Sequence, residues 1–122
     1  MLNQKDFFKD LKVVELASVL AGPAVGMFFA ELGAKVIKIE NKNGGDVTRS
    51  WKNPNEASND EKSAYYHAVN WNKEVLFLDL TTNLDRDELL NLLKEADMLI
   101  TNFKSGDDEK FNLVSKDLTA QF

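Results

Sequence analysis

Cysteine is absent from the 122 residues, and histidine occurs once, at His67. The first absence removes disulfide frameworks and thiolate nucleophiles. The two together leave no soft ligand set for a zinc site, so no metal is expected. An excess of positive charge is missing as well. Fifteen Lys and Arg stand against twenty Asp and Glu, a net charge of −5, which is the wrong sign for a chain that must neutralise nucleic-acid phosphates. Long apolar runs are lacking too. The most apolar stretch, residues 17–30, is broken by Ser18, Gly22, Pro23 and Gly26 and is too short to span a bilayer. The opening MLNQKDFFKDLK has neither a long apolar core nor a small-residue cleavage site. These absences lead to the expectation of a soluble cytoplasmic protein with no nucleic-acid or membrane partner.

What is present suffices for a packed core. Hydrophobic residues make up 43% of the chain and charged ones 29%, the balance of a globular domain rather than a disordered segment, and the length suits one domain over residues 1–122. Lys12 to Leu16 (KVVEL) reads as a short buried strand. A loop of small residues, Ala17 to Gly22, leads to Pro23, whose missing N–H is tolerated in the first turn of a helix. That helix runs to about Leu32 and stops at Gly33, with Phe28, Phe29 and Leu32 as its packing face. Lys35 to Glu40 (KVIKIE) is the next strand, which completes a βαβ unit. The polar stretch Asn41 to Lys62, with Gly44, Gly45 and Pro54, is a long surface excursion. Ser63 to Val69 forms a short helix and Val75 to Leu80 a strand. Thr82, with Asp85 three residues on, approaches a capping box for a helix that buries Leu84, Leu89, Leu92 and Leu93. Asp97 to Thr101 is the fourth strand, and short helical turns occupy the tail from Asp107 to Phe122. The alternation specifies an α/β, Rossmann-like fold with a mostly parallel sheet flanked by helices. Ligands of such sheets bind beyond the carboxyl ends of the strands, hence at the loops that begin at Ala17, Asn41, Thr81 and Asn102.

A dinucleotide site fails a count of glycines. The first loop offers Gly22 and Gly26 in G-x-x-x-G spacing, whereas pyrophosphate binding needs G-x-G-x-x-G, so that backbone can approach the phosphates. Glu40 ends the second strand where a ribose-binding acid would stand, but without the glycines it carries little weight.

The strings VVELASVLAGP, ELGAKVIKIE and GGDVTRSW, followed by NWNKEVLFLDL, LLNLLKEADMLI and Asn102-Phe103, occur in one unbroken order. In that order the sequence resembles the opening of class III coenzyme A transferases, a family that includes formyl-CoA and carnitine CoA-transferases, with α-methylacyl-CoA racemases as relatives. The AGP turn and GGDVTRSW favour the transferase side. The resemblance implies an acyl-CoA:carboxylate CoA-transferase that acts on a CoA thioester and a small carboxylate, with no tightly bound cofactor. Such enzymes form interlocked homodimers, and their aspartate nucleophile lies downstream of Phe122, so the resemblance implies a truncated, inactive CoA-binding domain with no catalytic residue of its own. A racemase-type fragment and a non-catalytic interaction module are the alternatives.

By the same resemblance, Leu20 and Ala21, Asn41, the run Leu78, Asp79, Leu80 and Thr81, then Asn102, Phe103 and Lys104, and finally Lys110 line the CoA pocket. The helix start at Pro23 adds unpaired N–H groups and a positive dipole end, and Lys42, Lys104 and Lys110 add charge. The sequence also departs from the family. Asn41 stands where close relatives have arginine, Glu74 replaces a basic residue, and Lys104-Ser105-Gly106 replaces a Gly-Pro-Gly turn. Outside that frame, Asp46 and Arg49 read as a solvated pair of little energetic weight. Trp51, Tyr65 and Tyr66 read as packing for the long loop, Lys73 as a stem over apolar surface, and His67 as a surface residue.

Overall fold

The computed structural model describes residues 6–122. The first five residues, part of the stretch read above for a targeting signal, lie outside the described residues. Four parallel strands form one sheet: β1 (Lys12–Leu16), β2 (Lys35–Asn41), β3 (Glu74–Leu78) and β4 (Met98–Thr101), in the order β3-β2-β1-β4. The helices are α1 (Ala21–Glu31), α2 (Ala64–Asn70), α3 (Asn83–Leu93), α4 (Asp107–Lys110) and α5 (Ser115–Gln121), with a 3₁₀ turn at Val47–Ser50. The fold class is α/β, as the alternation of elements required.

The topology follows from alternation along the strands and from the direction of each crossover. Val14 and Leu16 of β1, Ile39 of β2 and Leu78 of β3 pack with Leu89 and Leu93 of α3 and with Leu113 and Leu118 toward the C-terminus. Val13 and Val36 point the other way and meet Ala30 and Ala34 beneath α1. The chain moves outward from β1 to β2 and β3, then returns past β1 to place β4 on its far side. Right-handed crossovers taken in opposite directions put α1 and α3 on opposite faces, and the order reverses between β1 and β4.

Two helices turn differently from their expected faces. Phe28 is 53% exposed, and the residues of α1 that reach the sheet are Gly22, Pro23, Gly26 and Ala30. Small side chains let this helix lie close to the strands, so the phenylalanine rotates outward. Leu84 is 79% exposed, because the buried stripe of α3 runs through Asp85, Leu89 and Leu93, at i, i+4 and i+8. The boundaries also differ. α1 begins at Ala21, so Pro23 is its third residue; β2 ends at Asn41; β3 is Glu74–Leu78; and β4 begins at Met98. No helix among the described residues is long and apolar enough to cross a membrane.

Candidate functional site

A cleft of about 420 Å³ opens where the four strands end. Its floor is apolar, from Leu16, Ile39, Leu78 and Phe103, and its rim carries Ser18, Asn41, Asp79, Thr81, Lys104 and Lys110. This is the crevice at the point of strand-order reversal, where sheets of this type bind ligands. A second groove of similar size follows the open edge of β4, between Leu93, Met98, Leu118 and Phe122. Asp97 is the one charged residue in its wall, so the strand-end cleft offers the richer chemistry.

Each rim segment is fixed by a side chain chosen for it. Asn102, just after β4, receives the Ser18 N–H at 3.0 Å and donates to the Ser18 carbonyl at 2.7 Å, which clasps the two loops across the reversal point. Thr82 caps α3 by accepting the Asp85 N–H. The Asp85 carboxylate does not close the capping box; it accepts from the Asp79 N–H at 2.7 Å and pairs with Lys42 at 2.7 Å. Asp79 in turn accepts from the N–H and hydroxyl of Thr81 at 3.0 and 2.6 Å, and these bonds hold its carboxyl below the usual range. Lys104 and Lys110 make no ion pair with the described residues. Lys110 rests 5.2 Å from the Phe111 ring.

The glycine loop behind the cleft is more tightly built than a solvated excursion, which corrects the reading of Asp46 and Arg49 as a weak pair with each other. Asp46 is buried and takes Lys38 at 3.0 Å, the Thr48 N–H at 3.0 Å and the Thr48 hydroxyl at 2.8 Å. Arg49 instead forks onto Glu40, Nε at 2.6 Å and Nη2 at 3.0 Å, while the Tyr66 hydroxyl and the Asp46 N–H also donate to Glu40. Gly45 is required here: it sits at φ +72°, and a Cβ would meet the Glu40 carboxylate and lie 2.9 Å from Arg49 Nε. Trp51 and Tyr65 meet edge to face at 5.2 Å on the surface. Tyr66 alone of the three aromatics is fully packed, and His67 is exposed.

Burial works to raise the carboxyls of Glu40 and Asp46, but hydrogen bonds outweigh it and hold both below their ordinary values. For Glu40 the donors are Arg49, Tyr66 and the Asp46 backbone; for Asp46 they are Thr48 and Lys38. A depressed folded-state value stabilises the fold above the unfolded carboxyl range, about pH 3.9–4.3, and that stability is lost as pH falls through the lower folded values. The urea midpoint should therefore stay level from pH 7 to about 5 and drop steeply below about pH 4. Glu40→Gln should flatten that acid limb; an unchanged limb would mean these pairs do not set acid stability.

The expectation that missed most concerns the buried charges beneath α1. Lys73 does not lay its stem over apolar surface. Its ammonium is enclosed, 2.7 Å from Glu15 and bonded to the carbonyls of Pro23 and Val69 at 2.7 and 2.8 Å. Burial pulls it below the ordinary lysine value against the pull of Glu15. Glu15 also meets Lys38 at 3.1 Å, and Lys38 reaches the Ala17 carbonyl at 2.8 Å. Charges at strand centres in KVVEL and KVIKIE were the available signal, and parallel pairing puts Glu15 beside Lys38. Nearby, Val19 stands at φ 72°, a left-handed conformation that costs a β-branched residue about 1–3 kcal/mol.

Nine of the eleven residues expected to share a pocket line this cleft: Asn41, Leu78, Asp79, Leu80, Thr81, Asn102, Phe103, Lys104 and Lys110. Leu20 and Ala21 stand outside its wall at the start of α1, and Ala17 and Ser18 occupy the wall instead. No group of three or more metal-ligating side chains converges among the described residues.

Comparison with known proteins adds the remaining findings. The sequence pattern of CoA-transferase family III matches residues 8–122. A succinate–glutarate CoA-transferase of Agrobacterium fabrum is 42% identical over 116 residues, 93% of this chain and 29% of that protein. A succinyl-CoA:mesaconate CoA-transferase of Haloarcula hispanica is 44% identical over 84% of this chain and 26% of its own length. Among solved structures, a CAIB/BAIF family protein from Brucella suis superposes with a TM-score of 0.81 at 44% identity, covering 90% of this chain and 29% of that one. The chain thus spans less than a third of the relatives it matches.

Proposed function

Since this chain belongs to CoA-transferase family III, we propose that it is the CoA-binding N-terminal portion of an acyl-CoA:carboxylate CoA-transferase. The observation that carries the reading is the strand-end cleft itself, where two lysines with no ion-pair partner among the described residues join an apolar floor. The lysines suit phosphates, as point charges on flexible stems, and the floor suits the thin apolar arm of a pantetheine. Asn41, Thr81 and Asn102 supply neutral donors and acceptors around them. The setting is a soluble, cytoplasmic one, and the complete enzyme is a homodimer.

Thioester exchange needs a free carboxylate beside the sulfur of CoA in a site that excludes water. Three of the carboxylates that line this cleft are otherwise engaged: Glu40 by Arg49 and Tyr66, Asp46 by Lys38 and Thr48, Asp79 by Thr81; the fourth, Asp107, stands in the first turn of α4. As the family resemblance implies, the nucleophile of the reaction belongs to sequence beyond these residues, and the chain alone binds without turning over. Ligand-observed NMR should detect CoA with a dissociation constant on the order of 1 mM and little response to NAD. With succinyl-CoA and a dicarboxylate acceptor, no transfer should be found. A clear preference for NAD, or a CoA adduct mapped by mass spectrometry to Glu40, Asp46, Asp79 or Asp107, would overturn the reading.

A further inference from the structure

Lys73, Glu15, Lys38 and Asp46 stand in a line beneath the start of α1, each neighbouring pair 2.7–3.1 Å apart and each side chain without solvent exposure. Buried ions are seldom chosen for stability, because apolar side chains of similar volume do as well or better. The reason for this line lies in what it grips. Lys38 holds the carbonyl of Ala17, Asp46 receives the N–H of Val19 at 3.3 Å, and Lys73 holds the carbonyl of Pro23. Three successive grips thus fall on residues 17–23, the segment that leaves β1 along the cleft wall and becomes α1. Within it, Val19 is held at φ 72°, and its N–H is bonded to the carboxylate of Asp46.

We propose that Asp46 is a positioning residue for the coenzyme: held by Lys38, it locks Val19 in the left-handed conformation and so sets Ala17 and Ser18 in the cleft wall. This inference rests on the reading of the cleft as a CoA site. Its logic is mechanical. A valine released from the carboxylate relaxes toward negative φ, which swings the backbone on both sides of it and moves Ser18 off Asn102.

The test compares Asp46→Asn, Val19→Gly and the double substitution in the 122-residue chain, with CoA as the probe. The Val19 N–H is shared by both carboxylate oxygens, one of which also faces Lys38 and the other Thr48; an asparagine NH2 replaces one of them, so in either orientation Val19 loses one of its two acceptors and Lys38 or Thr48 loses its partner. CoA binding to Asp46→Asn should weaken about tenfold while the dispersed amide spectrum of the fold persists. Adding Val19→Gly, which adopts positive φ without strain, should bring affinity back to within about threefold of the parent. The Val19 amide shift and its coupling constant report the same release in Asp46→Asn. If Asp46 touched the ligand, or served stability alone, the added glycine substitution would restore nothing. Unchanged affinity in Asp46→Asn, or a folded double variant without recovery, overturns the proposal. Should Asp46→Asn fail to fold, Asp46→Glu keeps the charge facing Lys38 but carries the carboxylate past the Val19 N–H, and the same loss and the same rescue are expected. Absence of CoA binding by the unsubstituted chain would be seen before any substitution is made; it would sink the reading of the cleft, and this inference with it.

Discussion

Lys38→Met should remove about 3–5 kcal/mol of stability, a large part of the roughly 5–15 kcal/mol that holds a domain of this size together. Methionine fills most of the volume but removes the one cation that lies between two buried carboxylates, Glu15 at 3.1 Å and Asp46 at 3.0 Å. Lys73 still answers Glu15, whereas Asp46 is left with hydrogen bonds and no counter-charge. The Ala17 carbonyl loses its donor as well. Lys35→Met on the same strand is the control. Its partner Glu74 is 3.7 Å away and both side chains are more than half exposed, so that change should cost less than about 1 kcal/mol. Urea denaturation of the two variants decides the matter: equal losses would mean that enclosure of the charges does not govern their energy.

Gly26→Ala should show the reverse of the usual sign. In the interior of a helix this exchange ordinarily stabilises by about 0.5–1 kcal/mol, because alanine gives up less backbone freedom on folding. Here the new methyl would fall on Glu15 Oε2, with Glu15 Cδ at 3.0 Å and Lys73 Cε at 3.3 Å. Neither neighbour can yield, since both belong to the enclosed charge line. Either α1 lifts from the sheet or the carboxylate leaves its lysines, and overpacking of this kind costs about 1–3 kcal/mol. Thermal unfolding should start several degrees lower than in the parent. A variant as stable as the parent, or more so, would show that α1 has room to shift.

What could be read in the sequence, and what could not, divides along the range of the interactions. Strands rich in Val, Ile and Leu, the Thr82 cap and the glycine after α1 are local signals, and they placed the four strands and α1, α2 and α3 within a few residues, whereas the 3₁₀ turn at Val47–Ser50 lies within what reads as a polar excursion. The cleft followed from topology, since strand ends in a parallel sheet gather loops that are distant in sequence. The charge line did not follow. Asp46 and Arg49 are close in sequence and invite pairing, but their partners, Lys38 and Glu40, are on β2. Lys73 follows α2, which packs against α1, and so reaches Glu15 from 58 residues away in sequence. Helix faces failed for a related reason. Leu84 and Phe28 look like core by composition, whereas the true contact stripes run through Asp85 and through glycine and alanine, where close approach counted for more than bulk.

The strand order has a consequence for synthesis. β1 is second from one edge of the four-stranded sheet, and its neighbour on that side is β4, made last of the four. When β2 has been completed at Asn41, residues 42–101 are still to be translated, about 3–12 s of work at 5–20 residues per second. Through that interval β1 and β2 can pair across α1, yet the far edge of β1 shows unpaired N–H and carbonyl groups beside Val14 and Leu16. An open edge of that kind accepts any extended chain that reaches it. The nascent protein is therefore most exposed to mispairing between the completion of β2 and the arrival of Met98–Thr101, and a chaperone that shields extended apolar segments would act to greatest effect within that window.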